Sequence, residues 1–197
     1  MKIFRIFPNI KSSGKDNLSI TLRVLPDTAL LIQKRPFFIP DFTNDCQVQL
    51  CYVVRINRLG RSIHAKFAHR YYDMQALTLG AHFIAADLFE ILKKEGKPCD
   101  IAVGFDNAVA VSEVHYEKLL QSSAIAITIA SSVNSYVVNR EIPKMIDSII
   151  AYISSFYTLK QGDLLLIPVS SEKYGVAIDN HISLTADDQE LLSFNVK

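Results

Sequence analysis

Glycine is scarce and tryptophan absent: there are 7 glycines in 197 residues, half the usual share of about 7%. A loop that brings its backbone close to a ligand normally needs glycine. No phosphate-cradling glycine loop, HExxH or GxSxG motif is present. Charge of one sign is also lacking. Lys plus Arg is 21 against 20 Asp plus Glu, a formal net charge of +1, which gives no electrostatic basis for nucleic acid or an anionic membrane as a partner. Cysteine is sparse. Cys46, Cys51 and Cys99 form no CxxC pair, so a reducing cytoplasm is the expected location. No apolar run reaches the roughly 18 residues of a membrane span. Arg5, Pro8, Asn9 and Lys11 interrupt the N-terminal run that a secretion signal would need.

What is present argues a folded domain. Hydrophobic residues make up 49% and charged ones 21%, which excludes a disordered or collagen-like chain. The length fits a single domain, 1–197, with residues 1–45 a short N-terminal segment continuous with it. Short alternating or apolar segments predict strands at 2–7, 18–25, 29–32, 47–56, 124–130, 135–138, 163–169, 175–178 and 191–196. Two segments read as helices. Leu88, Ile91 and Leu92 share a face over 87–95, stopped by Gly96. Over 143–157, Ile146, Ile149, Ile150, Ile153 and Phe156 recur at helical spacing, with Pro143 suited to the first turn. The expected class is α+β, mainly β, with two helices.

The residues alone point to little chemistry. His64 and His69 lie in a basic stretch, 58–70, that also holds Arg61 and Lys66; it reads as an anion site or as a solvated face. Gln49 and Cys51 are two apart on a candidate strand and so share a face, where a lone cysteine commonly serves as a small hydrophobe.

Longer segments carry more. Residues 53–73 read VVRINRLGRSIHAKFAHRYYD, and in the same order come PDTAL at 26–30, RPFFIPDF at 35–42, GFD at 104–106, TLKQGDLL at 158–165 and LLSFNVK at 191–197. This pattern resembles the fumarylacetoacetate hydrolase family, in particular its short bacterial members, and spans nearly the whole chain. The resemblance implies a β-rich roll with a few helices, commonly a homodimer. It also implies Mg²⁺- or Mn²⁺-dependent hydrolysis, decarboxylation or tautomerisation of 2-oxo and β-diketo acids. There a hard ion held by carboxylates stabilises the enolate formed from the chelated substrate.

Carried over position by position, that machinery is replaced. The family's Glu-x-Glu pair falls on Gln49 and Cys51, and its third metal ligand, an aspartate, on His82. Asp87 survives in the next segment, HFIAADLF. The lysine before GFD is Val103, and the lysine before PDTAL is Leu25. The segment that holds a histidine base in the family aligns with 8–13; Asn9 is kept and Ser13 stands at the histidine position. The family's T-G-T-P-x-G-V-G loop loses its three glycines to Pro168, Glu172 and Tyr174, while Asn107 and Ser135 replace two more.

Three neutral residues do not replace three carboxylates around a hard cation, so no Mg²⁺ or Mn²⁺ is expected. Cys51 with His82 would suit Zn²⁺. The expectation is a non-catalytic paralogue with a binding or regulatory role, a homodimer or a heteromer with an active relative. Asn9, His64, Lys66, His69 and Asp87 are its candidate pocket residues, and a small 2-oxo acid its candidate ligand. The alternative is an active hydrolase, decarboxylase or isomerase with an altered, soft-metal site.

Overall fold

The computed structural model describes residues 1–9, 19–32, 35–112, 119–187 and 189–197. Its elements in chain order are β1 (Ile3–Asn9), β2 (Ser19–Leu25), β3 (Cys46–Arg55), β4 (Thr78–Ala85), α1 (Ala86–Lys94), β5 (Val109–Val111), β6 (Ala124–Ile129), β7 (Ser132–Val137), α2 (Ile142–Phe156), β8 (Leu164–Pro168), β9 (Tyr174–Gly175), β10 (His181–Ala186) and β11 (Gln189–Asn195). Among the described residues the strands form two sheets. The seven-stranded one runs β2-β1-β8-β3-β4-β5, with β9 also on β3; the four-stranded one runs β11-β10-β6-β7. The class is α+β, mainly β.

The period of two along each strand sorts the core. Phe4 and Ile6 of β1, Leu50, Tyr52 and Val54 of β3, and Leu165 and Ile167 of β8 face the main core. There they meet Ile146, Ile149, Ile150 and Ile153 of α2 and the inner face of the smaller sheet. Ile3, Cys51, Val53, Leu164 and Leu166 point the other way, into a smaller cluster with Leu25, Val103 and Val109. The inner strands are therefore covered on both faces. Gly80, opposite Cys51 in the β3–β4 ladder, is fixed by close approach: a Cβ there would lie 2.8 Å from the Ala110 carbonyl oxygen.

β1 pairs in parallel with β8 through Ile3–Leu164 and Arg5–Leu166. An ion pair closes the same junction: buried Asp163 meets Lys2 Nζ at 2.7 Å and also accepts the Lys2 backbone N–H at 2.8 Å.

Both predicted helices form within a residue of the expected limits. The predicted strand at 29–32 does not form. Asp27–Ala29 is a 3-10 turn, and Leu30 makes only an isolated bridge to Val109. The segment at 175–178 contributes only the end of the two-residue β9. β4, β5 and β10 are absent from the sequence reading. All eight β4 residues are buried, so no polar alternation marks it. Asn107 stands where a glycine was expected and holds φ at 63°, in the left-handed region that asparagine tolerates better than most residues. No helix among the described residues is long and apolar enough to cross a membrane.

Candidate functional site

Strand register brings the site together. Gln49 lies opposite His82 in the β3–β4 ladder, and Cys51 lies two residues along on the same face. Two strands away, Arg5 of β1 points to that face as well. Its guanidinium contacts both β3 residues: Nη2 donates to Gln49 Oε1, and Nη1 donates to Cys51 Sγ at 3.5 Å. Nη1 also lies 3.4 Å from the Ile6 carbonyl oxygen. Arg5 is completely buried, and its Nε has no partner among the described residues. Burial lowers the Arg5 pKa. A guanidinium has donors only, so the Gln49 amide must turn its oxygen to Arg5. Its Nε2 donates in turn to the Ser170 carbonyl at 2.6 Å.

Cys51 is a buried thiol, pushed up by desolvation and drawn partly back by the charge of Arg5. His82 Nε2 lies 2.7 Å from the Val103 carbonyl oxygen. A carbonyl only accepts, so Nε2 carries the proton, and Nδ1 has no partner among the described residues. The His82 pKa is lowered to about 3, first by burial and then by the Arg5 charge, against the Val103 hydrogen bond. Gln49 and Cys51 thus meet at the Arg5 guanidinium, while His82 is held by Val103.

These residues do not fit a hard divalent cation. None of the three positions carries a carboxylate, and no group of three or more His, Cys, Asp or Glu among the described residues could hold a metal. A divalent ion about 4 Å from the guanidinium would meet about 8 kcal/mol of repulsion at an effective dielectric near 20. Zinc fits no better: Cys51 and His82 are two ligands where a closed site takes about four.

Beside Gln49 opens a cleft of about 620 Å³, lined also by Phe7, Phe89, Met145, Ser170 and Lys173. The 170–174 loop that replaces the expected glycine-rich one is tied down. Glu172 Oε2 accepts from Tyr136 and Tyr174 hydroxyls, each at 2.8 Å, and those hydroxyls also contact each other.

Most of the other candidates lie elsewhere. His64, Lys66 and His69 are exposed and do not line the cleft. They sit in and beside a 3-10 turn, Ala65–Arg70. The stretch just before it is fastened to α2, with the Ser62 and Ile63 N–H groups donating to Ser154 at 2.8 and 2.9 Å. Asp87 pins α1 to the loop before β3, accepting from Thr43 Oγ1 at 2.5 Å and from the Asn44 N–H at 2.8 Å, and it also accepts from the Leu88 N–H of its own helix at 2.8 Å. The Thr43 hydrogen bond does most to lower its pKa. Asp87→Ala is expected to lower stability by about 1 kcal/mol, as loss of a helix cap does, and to leave ligand binding unchanged; urea denaturation and calorimetric titration check the two halves. Asn9 is the last residue of β1, its side chain outside the description, and Ser13 lies outside the described residues.

The sequence reading misses Arg5 as a site residue and treats it only as a break in an apolar run. The available signal is its place in IFRIF, a charge midway along a strand with apolar residues on both sides. Gln49 and Cys51, named from the resemblance, are the two candidates that meet it.

No protein-family model matches this chain, and no curated protein does. Solved structures do match. A Yersinia pestis CO92 protein named for the fumarylacetoacetate hydrolase family is 18% identical with a TM-score of 0.83, covering 100% of this chain and 92% of that one. Fumarylpyruvate hydrolase from Pseudomonas aeruginosa, solved with Mn²⁺ and pyruvate, is 15% identical with a TM-score of 0.80, covering 100% and 89%. The 5-carboxymethyl-2-hydroxymuconate delta-isomerase from Mycobacterium smegmatis is 17% identical with a TM-score of 0.77, covering 99% and 78%. At such identities the likeness establishes the fold: the chain has the fumarylacetoacetate hydrolase-like architecture.

Proposed function

We propose that this chain is a divergent member of the fumarylacetoacetate hydrolase family that has exchanged metal-dependent catalysis for a metal-free binding or regulatory role. One observation carries the reading. The buried Arg5 guanidinium holds Gln49 and Cys51, the two positions where the resemblance places a pair of metal-binding glutamates. A fixed cation takes the place of an exchangeable one. The chemistry that a divalent ion supplies in such sites, polarising a carbonyl and stabilising an enolate, then has no carrier here.

The rest of the reading is a cytoplasmic protein, working as a homodimer or with an active relative. The three buried, unpaired cysteines support a reducing compartment.

Elemental analysis of the purified chain, with oxaloacetate decarboxylation and acylpyruvate hydrolysis followed in Mg²⁺ and Mn²⁺, tests the catalytic claim. The expected result is no stoichiometric metal and turnover equal to the enzyme-free blank. Stoichiometric Mg²⁺, or turnover that rises with Mg²⁺ or Mn²⁺, would return the chain to the active class. Light scattering of the chain alone, and mixed with an active relative, checks the assembly.

A further inference from the structure

A buried charge is expensive unless an opposite charge or a full set of acceptors accompanies it. Arg5 has neither among the described residues. Its contacts there are the Gln49 amide oxygen, the Cys51 thiol and the Ile6 carbonyl, all uncharged, and Nε has no partner among the described residues. The two carboxylates flanking the cleft in sequence are engaged elsewhere: Asp87 with Thr43, Asn44 and Leu88, and Glu172 with Tyr136 and Tyr174. The cleft beside Gln49 repeats the imbalance. Among the described residues Lys173 is the ionic residue of its lining, with Nζ 5.8 Å from the centre of the Phe89 ring. Phe7, Phe89 and Met145 give it an apolar wall, and the Phe7 ring in turn packs against the Arg5 guanidinium at 4.8 Å.

Resting on the metal-free reading above, the geometry points to a site for a small organic monoanion, a carboxylate with an apolar or aromatic body. Its acid group lies against Lys173 and the Gln49 amide, and its body against Phe7, Phe89 and Met145. Arg5 acts through Gln49 as a positioning residue. By taking the amide oxygen it turns Nε2 outward, where one N–H meets Ser170 and the second, without a partner among the described residues, is left for the ligand. The guanidinium charge behind that amide adds an attraction that burial keeps from being screened. The volume of about 620 Å³ lies within the range of small-molecule pockets.

Selectivity follows. A site that lacks a chelated ion gains nothing from an oxo group next to the carboxylate, so a plain acid binds as well as its 2-oxo counterpart. The test is calorimetric titration of the full chain with 3-phenylpropanoate and with phenylpyruvate in EDTA. Both are expected to bind, with dissociation constants within about threefold of each other. Lys173→Glu, a change at an exposed position, is expected to weaken both by at least about tenfold. Arg5→Met is expected to do the same while Arg5→Lys restores part of the loss, which a purely structural role for Arg5 would not produce.

If neither acid binds at about 10 mM, or if Lys173→Glu leaves affinity unchanged, the ligand assignment is wrong and the metal-free reading stands. If phenylpyruvate binds only when Mg²⁺ is supplied, both fall.

Discussion

Arg5→Met is expected to be more stable than the wild type by about 2 kcal/mol. Several kcal/mol go into stripping water from a guanidinium, and a buried charge repays this only when a counter-charge and good acceptors surround it. Among the described residues Arg5 has a single amide oxygen as its close acceptor, with a thiol and a carbonyl at longer range. Methionine is apolar, unbranched and adaptable in shape. The change leaves Gln49 Oε1 without its donor, at a cost of about 1–3 kcal/mol, which the removed desolvation exceeds. Urea denaturation reads the difference as a higher midpoint at unchanged slope. A lower midpoint would mean that the Arg5 hydrogen bonds outweigh its burial. Joined to the expected loss of anion binding, a gain in stability would mark Arg5 as a residue kept for function at the fold's expense.

Acidification is the second large effect. His82 is completely buried and its pKa is lowered from 6.5 to about 3. Between these values the unfolded chain binds a proton that the folded chain does not, so acid favours unfolding. The contribution is fully present above the unfolded value and is lost as pH falls toward the folded one. At about 1.36 kcal/mol per pH unit, the His82 share of the loss between pH 6.5 and 5 is about 2 kcal/mol. His82→Gln keeps a donor for the Val103 carbonyl and removes the titration. Paired urea titrations at the two pH values should show the wild type losing about 2 kcal/mol more than His82→Gln. Equal losses would mean that His82 accepts its proton without unfolding.

How much of this was legible in the sequence depended on what marks each residue. The α2 isoleucines announce a helix through spacing, and β1 and β3 announce strands through alternation and β-branched content. β4 does neither, because both its faces are covered and nothing polar alternates along it. The exchanged positions Gln49 and Cys51 were visible through the resemblance. What fills the space between them was not. Arg5 comes from a strand more than forty residues earlier, and only the β1–β8–β3 pairing places it there. The basic 58–70 stretch misleads for the opposite reason: charge is conspicuous in a sequence, and here it lies on the outer side of a segment fastened to α2.

The parallel pairing of β1 with β8 also has a consequence in time. Lys2 and Asp163, whose ion pair closes that junction, are separated by 161 positions, so the contact is among the slowest kind to form. During synthesis β1 leaves the ribosome first, and the strand that must lie between it and β3 arrives more than a hundred and fifty residues later. Until then the Arg5 guanidinium remains hydrated. The charge is buried only when β8 docks, so a nascent chain that stops short of β8 already has Gln49 and Cys51, the side chains that the Arg5 guanidinium will meet on β3, and still lacks the site.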